Sequence, residues 1–107
     1  MGRPVVTEQI LLVDHQPIYR GGLRSTLTNS GYCVVGEAAT AHQGLRSAEE
    51  LFPGIVIIEA LLPGVSGFVT ASYIRRAVPG VKIILMTGAQ CPTLTASAIK
   101  IGAMGFI

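Results

Sequence analysis

Apolar residues in this chain fall into two alternating patterns. The first is a short continuous run rich in Ile, Val and Leu: Gln9–Val13, Tyr32–Ala38, Ile55–Glu59 and Val81–Thr87. Runs of this length, dense in β-branched residues, read as strands buried on both faces. The second pattern lies between them, where apolar residues recur at helical spacing. Tyr19, Leu23, Thr26 and Leu27 share one face of a helix expected from Pro17 to about Asn29. Ala41, Leu45, Ala48 and Phe52 do the same over about 41–51, and Phe68, Ala71 and Ile74 point inward from a helix over about 67–78.

Turn residues punctuate the pattern. Pro17 suits a first helical turn, where its missing N–H costs nothing. Asn29-Ser30-Gly31, Pro53-Gly54 and Pro79-Gly80 are stop signals. A fourth helix is expected over about 92–101, from Pro92 to just before Gly102, and Gly105-Phe106-Ile107 reads as the start of a fifth strand. Residues 1–8 read as a flexible lead-in and 9–107 as one domain. Strands alternating with helices predict an α/β fold, a parallel sheet with helices on both faces and right-handed crossovers. A series ending on a strand lacks the last helix. It predicts an apolar sheet face that a longer native chain, a partner or a swapped segment covers.

Composition narrows the classes. A chain of 107 residues suffices for one small domain. Half of it is apolar and 13% is charged, which excludes a disordered chain and predicts a surface partly covered by a partner. The net charge of +2 is spread without a basic stripe, so nucleic-acid binding gains little support. No apolar stretch reaches the roughly 18–20 residues of a membrane span. Met1 to Gln9 lacks the apolar core of a signal peptide, so a cytoplasmic protein is expected. Cys33 and Cys91 lack metal-site spacing and read as reduced thiols.

Chemistry concentrates at the strand ends. Asp14, Glu59 and Thr87 stand at the carboxyl ends of the first, third and fourth strands, with His15 beside Asp14. Open α/β sheets gather such ends at one crevice. Only six residues are acidic, and the one Asp is among the pair placed there.

These residues carry a family resemblance. V-D-H-Q-P-I-Y-R-G-G-L (13–23), V-I-I-E-A-L-L-P-G-V-S-G (56–67), I-L-M-T-G (84–88) and I-G-A-M-G-F (101–106) resemble the receiver domain of bacterial response regulators over about 9–107. Pro17 to Leu23 most resembles the NarL/FixJ (LuxR-type) branch. The resemblance implies a doubly wound, flavodoxin-like five-stranded sheet of order 2-1-3-4-5. It also implies a regulatory rather than enzymatic role in a phosphorelay that controls transcription. A receiver of the usual kind has two acids after the first strand that hold Mg²⁺. An Asp after the third strand accepts phosphate from a histidine kinase, and a Ser or Thr and a Lys bind the phosphoryl oxygens.

On that pattern Asp14 matches the first acid, Thr87 the hydroxyl and Phe106 the switch aromatic. His15 replaces the second acid, and Glu59 replaces the phosphoacceptor. The Lys is expected about two positions past Ile107. Imidazole is a poor ligand for Mg²⁺, which wants oxygen in octahedral geometry. The extra methylene of Glu59 moves its carboxylate by about 1 Å from the in-line position that phosphoryl transfer needs. The resemblance thus implies a pseudo-receiver with weak or no Mg²⁺ binding and no other cofactor. It would act through protein contacts, chiefly a homodimer through about Leu94 to Ile107. A kinase or other regulatory protein is the other expected partner, with DNA reached only through a separate C-terminal domain.

Other readings of the same residues stay open. Glu59 is a remnant of a lost site, a mimic of the phosphorylated state through Thr87, or a ligand of something new. Asp14, His15 and Glu59 together can bind a transition metal, and Asp14 can cap the first helix. A conventional phosphoacceptor and a small-ligand sensor are the competing functions. No dinucleotide fingerprint, P-loop or Ser/Cys–His pair supports an enzyme. His42, Arg75 and Arg76 read as solvated, and Tyr73 as core rim or interface.

Overall fold

The computed structural model describes residues 8–86 and the short strand 105–106. The described elements run β1 (Gln9–Val13), α1 (Pro17–Asn29), β2 (Cys33–Ala38), α2 (Ala41–Leu51), β3 (Ile55–Glu59), α3 (Gly67–Ala77), β4 (Lys82–Met86) and β5 (Gly105–Phe106). The sheet order is β2-β1-β3-β4-β5, and every pairing is parallel. This is the doubly wound α/β architecture expected from the alternating pattern. The expected fourth helix lies outside the described residues, as does most of the lead-in. Glu8 is described, with its carboxylate 3.8 Å from Lys82 Nζ.

Strand residues alternate between two apolar layers, as their period of two requires. Leu11, Val13, Val56, Ile58, Ile83 and Leu85 face α2 and α3, where they meet Ala48, Phe68, Ala71 and Ile74. Ile10, Leu12, Ile57 and Met86 form the opposite layer, with Leu23 and Leu27 of α1 packed against it. Burying one such Leu or Ile side chain contributes about 1.5–3 kcal/mol, so these layers supply the main drive to fold.

The helix ends follow local chemistry. Thr40 caps α2 by accepting the Gln43 N–H, while Gln43 Oε1 accepts the Ala39 N–H. Ser66 caps α3 by accepting the Phe68 N–H at 3.0 Å. Helix α1 closes on Gly31, whose φ of 92° suits the left-handed turn that glycine adopts freely.

The expected inward faces need correction at three residues. Phe52 ends α2 with φ 46° and is 60% exposed. The left-handed turn swings its ring away from the core, and buried Pro53 follows in its place. In α1, Thr26 is exposed and no residue is fully buried; Leu23 and Leu27 alone carry the apolar contact. Tyr19 is 51% exposed because the first turn of α1 stands at the rim of the sheet, and its hydroxyl donates to Met86 Sδ at 4.0 Å.

One contact sets the position of α3 against β3. Gly67 is buried at the start of α3, and its N–H donates to Ala60 O at 2.9 Å. A Cβ there would lie 2.0 Å from the Glu59 carbonyl oxygen, so the backbones meet where no side chain fits. Gly67→Ala is expected to cost about 3 kcal/mol or to prevent folding. Gly22→Ala, with nothing within 4 Å of its added Cβ, should instead stabilise α1 by about 0.5–1 kcal/mol. Urea unfolding of both variants checks the pair. Equal midpoints would contradict the close-approach argument.

Candidate functional site

Parallel pairing of β1 with β3 puts Val13 level with Ile58. Asp14 and His15 therefore emerge beside Glu59, the last residue of β3. Of the four residues expected at the crevice, the three described ones meet: one ligand atom from each of Asp14, His15 and Glu59 lies within 4.8 Å of the others. Thr87 lies outside the described residues. Phe106 sits in β5 with its backbone paired to Leu85.

The arrangement inside the cluster was not expected. Glu59 Oε2 lies 2.6 Å from His15 Nδ1 and accepts the His15 backbone N–H at 3.3 Å. With the carboxylate oxygen as acceptor, the contact assigns the ring proton to Nδ1. The pair sits at the mouth of the crevice, with side-chain exposures of 36% for His15 and 17% for Glu59.

Asp14 lies deeper, at 2% exposure. Its Oδ1 accepts the Gln16 N–H at 2.8 Å. It thereby closes a turn two residues long just before α1, whose N-cap residue Gln16 makes no side-chain cap. Asp14 thus serves the entry to α1, two positions before the cap. Burial pushes its carboxyl above the ordinary carboxylate value, and the nearby charge of Glu59 pushes the same way. The Gln16 N–H and His15 oppose that shift.

A clamp around Arg20 was missed by sequence reasoning. Arg20 Nη1 donates to the Asp14 carbonyl at 2.6 Å, and Arg20 Nε donates to Glu37 Oε1 at 3.0 Å. Arg24 donates to the other Glu37 oxygen. The hydrogen bond from Arg24 holds the Glu37 carboxyl below its ordinary value, with Arg20 in support. The i, i+4 spacing of Arg20 and Arg24 was a visible signal, but their shared partner comes from the β1–β2 register. That register pairs Leu12 with Glu37.

Away from the crevice, Phe68, Val69, Ser72, Tyr73 and Arg76 line a groove of about 300 Å³ on α3. Tyr73 is exposed, with Arg76 Cζ 5.9 Å from its ring centroid. His42, Arg75 and Arg76 are exposed as expected. Cys33 is an exposed free thiol, and Cys91 lies outside the described residues. No helix among the described residues is long and apolar enough to cross a membrane.

A parallel sheet of this order, with acids gathered at its carboxyl edge, is the frame of a phosphorelay receiver. The response regulator receiver domain matches residues 10–107, and the chain belongs to that family. Receiver domains of response regulators are regulatory modules of two-component signalling. The chemotaxis protein CheY of Thermotoga maritima is 31% identical over 94% of this chain and 83% of its own length. The transcriptional activator protein ExaE of Pseudomonas putida is 33% identical, over 92% of this chain and 46% of its own. The nitrate/nitrite regulator NarL of Escherichia coli is 29% identical over the same shares. The chain thus spans about half the length of these transcriptional relatives. Among solved structures, a LuxR-family response regulator from Aurantimonas superposes with a TM-score of 0.89 at 35% identity, covering 94% of this chain and 73% of its own.

The electrostatics of Asp14 give a pH test with a defined sign. Its raised native value means that the folded chain keeps a proton which the unfolded chain loses near pH 3.8. Its contribution to stability is full below that pH and is lost as pH rises through the native value. Asp14→Asn keeps an acceptor for the Gln16 N–H and removes the buried charge. It should melt at a higher temperature than the parent at pH 7, and the gap should close as pH falls toward 3.8. A lower melting temperature at pH 7 would show that ionised Asp14 holds the crevice together.

Proposed function

We propose that this receiver is a regulatory module that works without phosphorylation and signals through protein contacts, most simply as a homodimer. The observation that carries this reading is the 2.6 Å contact between Glu59 and His15. A phosphoacceptor must offer a free carboxylate oxygen in line with the donor phosphorus. Here the Glu59 oxygen is turned onto the Nδ1 and the backbone N–H of His15. Its extra methylene, relative to the Asp of the usual receiver, provides the reach for that contact.

The residues also do not fit Mg²⁺. That ion takes oxygen ligands in near-octahedral geometry at about 2.0–2.1 Å and relies on carboxylates. His15 supplies a nitrogen where the usual receiver supplies an acid, and it removes one negative charge. Without a metal, the charge developing on a transferring phosphoryl group has less to neutralise it. Exposed apolar side chains at Leu61, Val65, Val69 and Tyr73 give a protein partner area to bury. The likeness to ExaE, a transcriptional activator, and to NarL supports an output in transcription, reached through a separate DNA-binding domain. A histidine kinase or another regulatory protein is the corresponding partner, and the cytoplasm the corresponding compartment.

Incubation with acetyl phosphate and Mg²⁺, followed by intact-mass measurement, tests the reading. The parent chain should gain no phosphoryl mass, and its sedimentation should not change. The double variant His15→Asp/Glu59→Asp, which restores both acids, should gain one phosphoryl group. A phosphoryl adduct on Glu59 of the parent chain would overturn the proposal.

A further inference from the structure

We propose that Asp14, His15 and Glu59 form a site for a divalent transition ion of the Zn²⁺ class, selective against Mg²⁺. The inference rests on the reading that Glu59 is not a phosphoacceptor, and it names what the altered crevice binds instead.

The donor set is one imidazole nitrogen and two carboxylates, which suits a borderline ion better than a hard one. Three protein ligands with a remaining open position are a common arrangement for zinc. The geometry is close to what such an ion needs. Ligand atoms around a tetrahedral zinc stand about 3.3 Å apart, given bonds of about 2.0–2.1 Å. In the cluster, His15 Nδ1 and Glu59 Oε2 are 2.6 Å apart, and all three ligand atoms fall within 4.8 Å. An ion entering between His15 and Glu59 parts them by less than 1 Å, a shift within reach of one Glu rotamer. As it binds, the Nδ1 proton leaves to bulk water, and the nitrogen lone pair takes up the metal.

The surroundings favour a cation. Asp14 is buried beside Glu59, so two carboxylates converge on the space with only one imidazole to offset them. The Gln16 N–H fixes the orientation of the Asp14 carboxylate through Oδ1. Arg20 is directed at the Asp14 carbonyl and Glu37, and none of its contacts is with the three ligand side chains. The exposure of His15 gives an ion an entry path.

The test is metal titration of the full chain in a Cys33→Ser/Cys91→Ser background, which removes thiol ligands. After removal of metal with a chelator, Zn²⁺, Co²⁺ and Mg²⁺ are each added and binding is followed by calorimetry. Visible absorption of the Co²⁺ form reports its ligand field. The expected result is Zn²⁺ bound with an affinity at least about 100-fold above that of Mg²⁺, as the softer donor set requires. His15→Ala and Glu59→Gln should each weaken Zn²⁺ by about tenfold or more, with far-ultraviolet circular dichroism unchanged. His15→Asp should narrow the gap by strengthening Mg²⁺ and weakening Zn²⁺. Equal affinity for the two ions, or Zn²⁺ binding indifferent to both His15→Ala and Glu59→Gln, would overturn the proposal. These titrations contain no phosphodonor, so their failure is distinct from the appearance of a phosphoryl adduct on Glu59.

Discussion

The contact between His15 Nδ1 and Glu59 Oε2 organises everything that distinguishes this receiver. It exists because β1 and β3 are neighbours in parallel register, which brings the residues after Val13 level with the end of β3. It also needs both substitutions at once. An Asp at 59 is shorter by one methylene, and an acid at 15 would repel the carboxylate instead of donating to it. On the proposed reading, the pair alters a crevice that, with two acids and an Asp, would hold a hard cation and accept phosphate.

The scaffold under the pair is conventional, and it is stiff. Strands buried on both faces carry Asp14 and Glu59 on backbone that has little freedom to move. The close approach of Gly67 to the Glu59 carbonyl fixes the carboxyl end of β3, and the Arg20 clamp holds the Asp14 carbonyl. Asp14 itself is a conflict tolerated by the fold. Its carboxylate is buried next to another, and burial raises the cost of its charge.

Much of this was readable from the sequence because the signals were local. Buried strands show as unbroken apolar runs, and Pro–Gly pairs punctuate them. Hence β1, α1, α2 and β3 begin and end at the expected residues, while β2 and β4 begin one residue later and α3 ends one residue earlier. The convergence of Asp14, His15 and Glu59 followed from topology, since a doubly wound sheet gathers its strand ends. Helical spacing misled where backbone conformation departs from the helix, as at Phe52, and where a helix overhangs the sheet rim, as at Tyr19. The links within the site were not readable. His15 to Glu59 spans 44 residues, and Arg20 to Glu37 spans 17. Such pairs depend on register and rotamer, which no local pattern encodes.

The hold of His15 on Glu59 is reported by the tautomer of the imidazole ring. Long-range ¹H–¹⁵N correlation spectra of the imidazole, recorded on metal-free protein for the parent and Glu59→Ala, give the protonation of each ring nitrogen. A proton is expected on Nδ1 of His15 in the parent and on Nε2 in Glu59→Ala, since the tautomer follows the partner of the bonded nitrogen. Identical His15 spectra in the two proteins would contradict it.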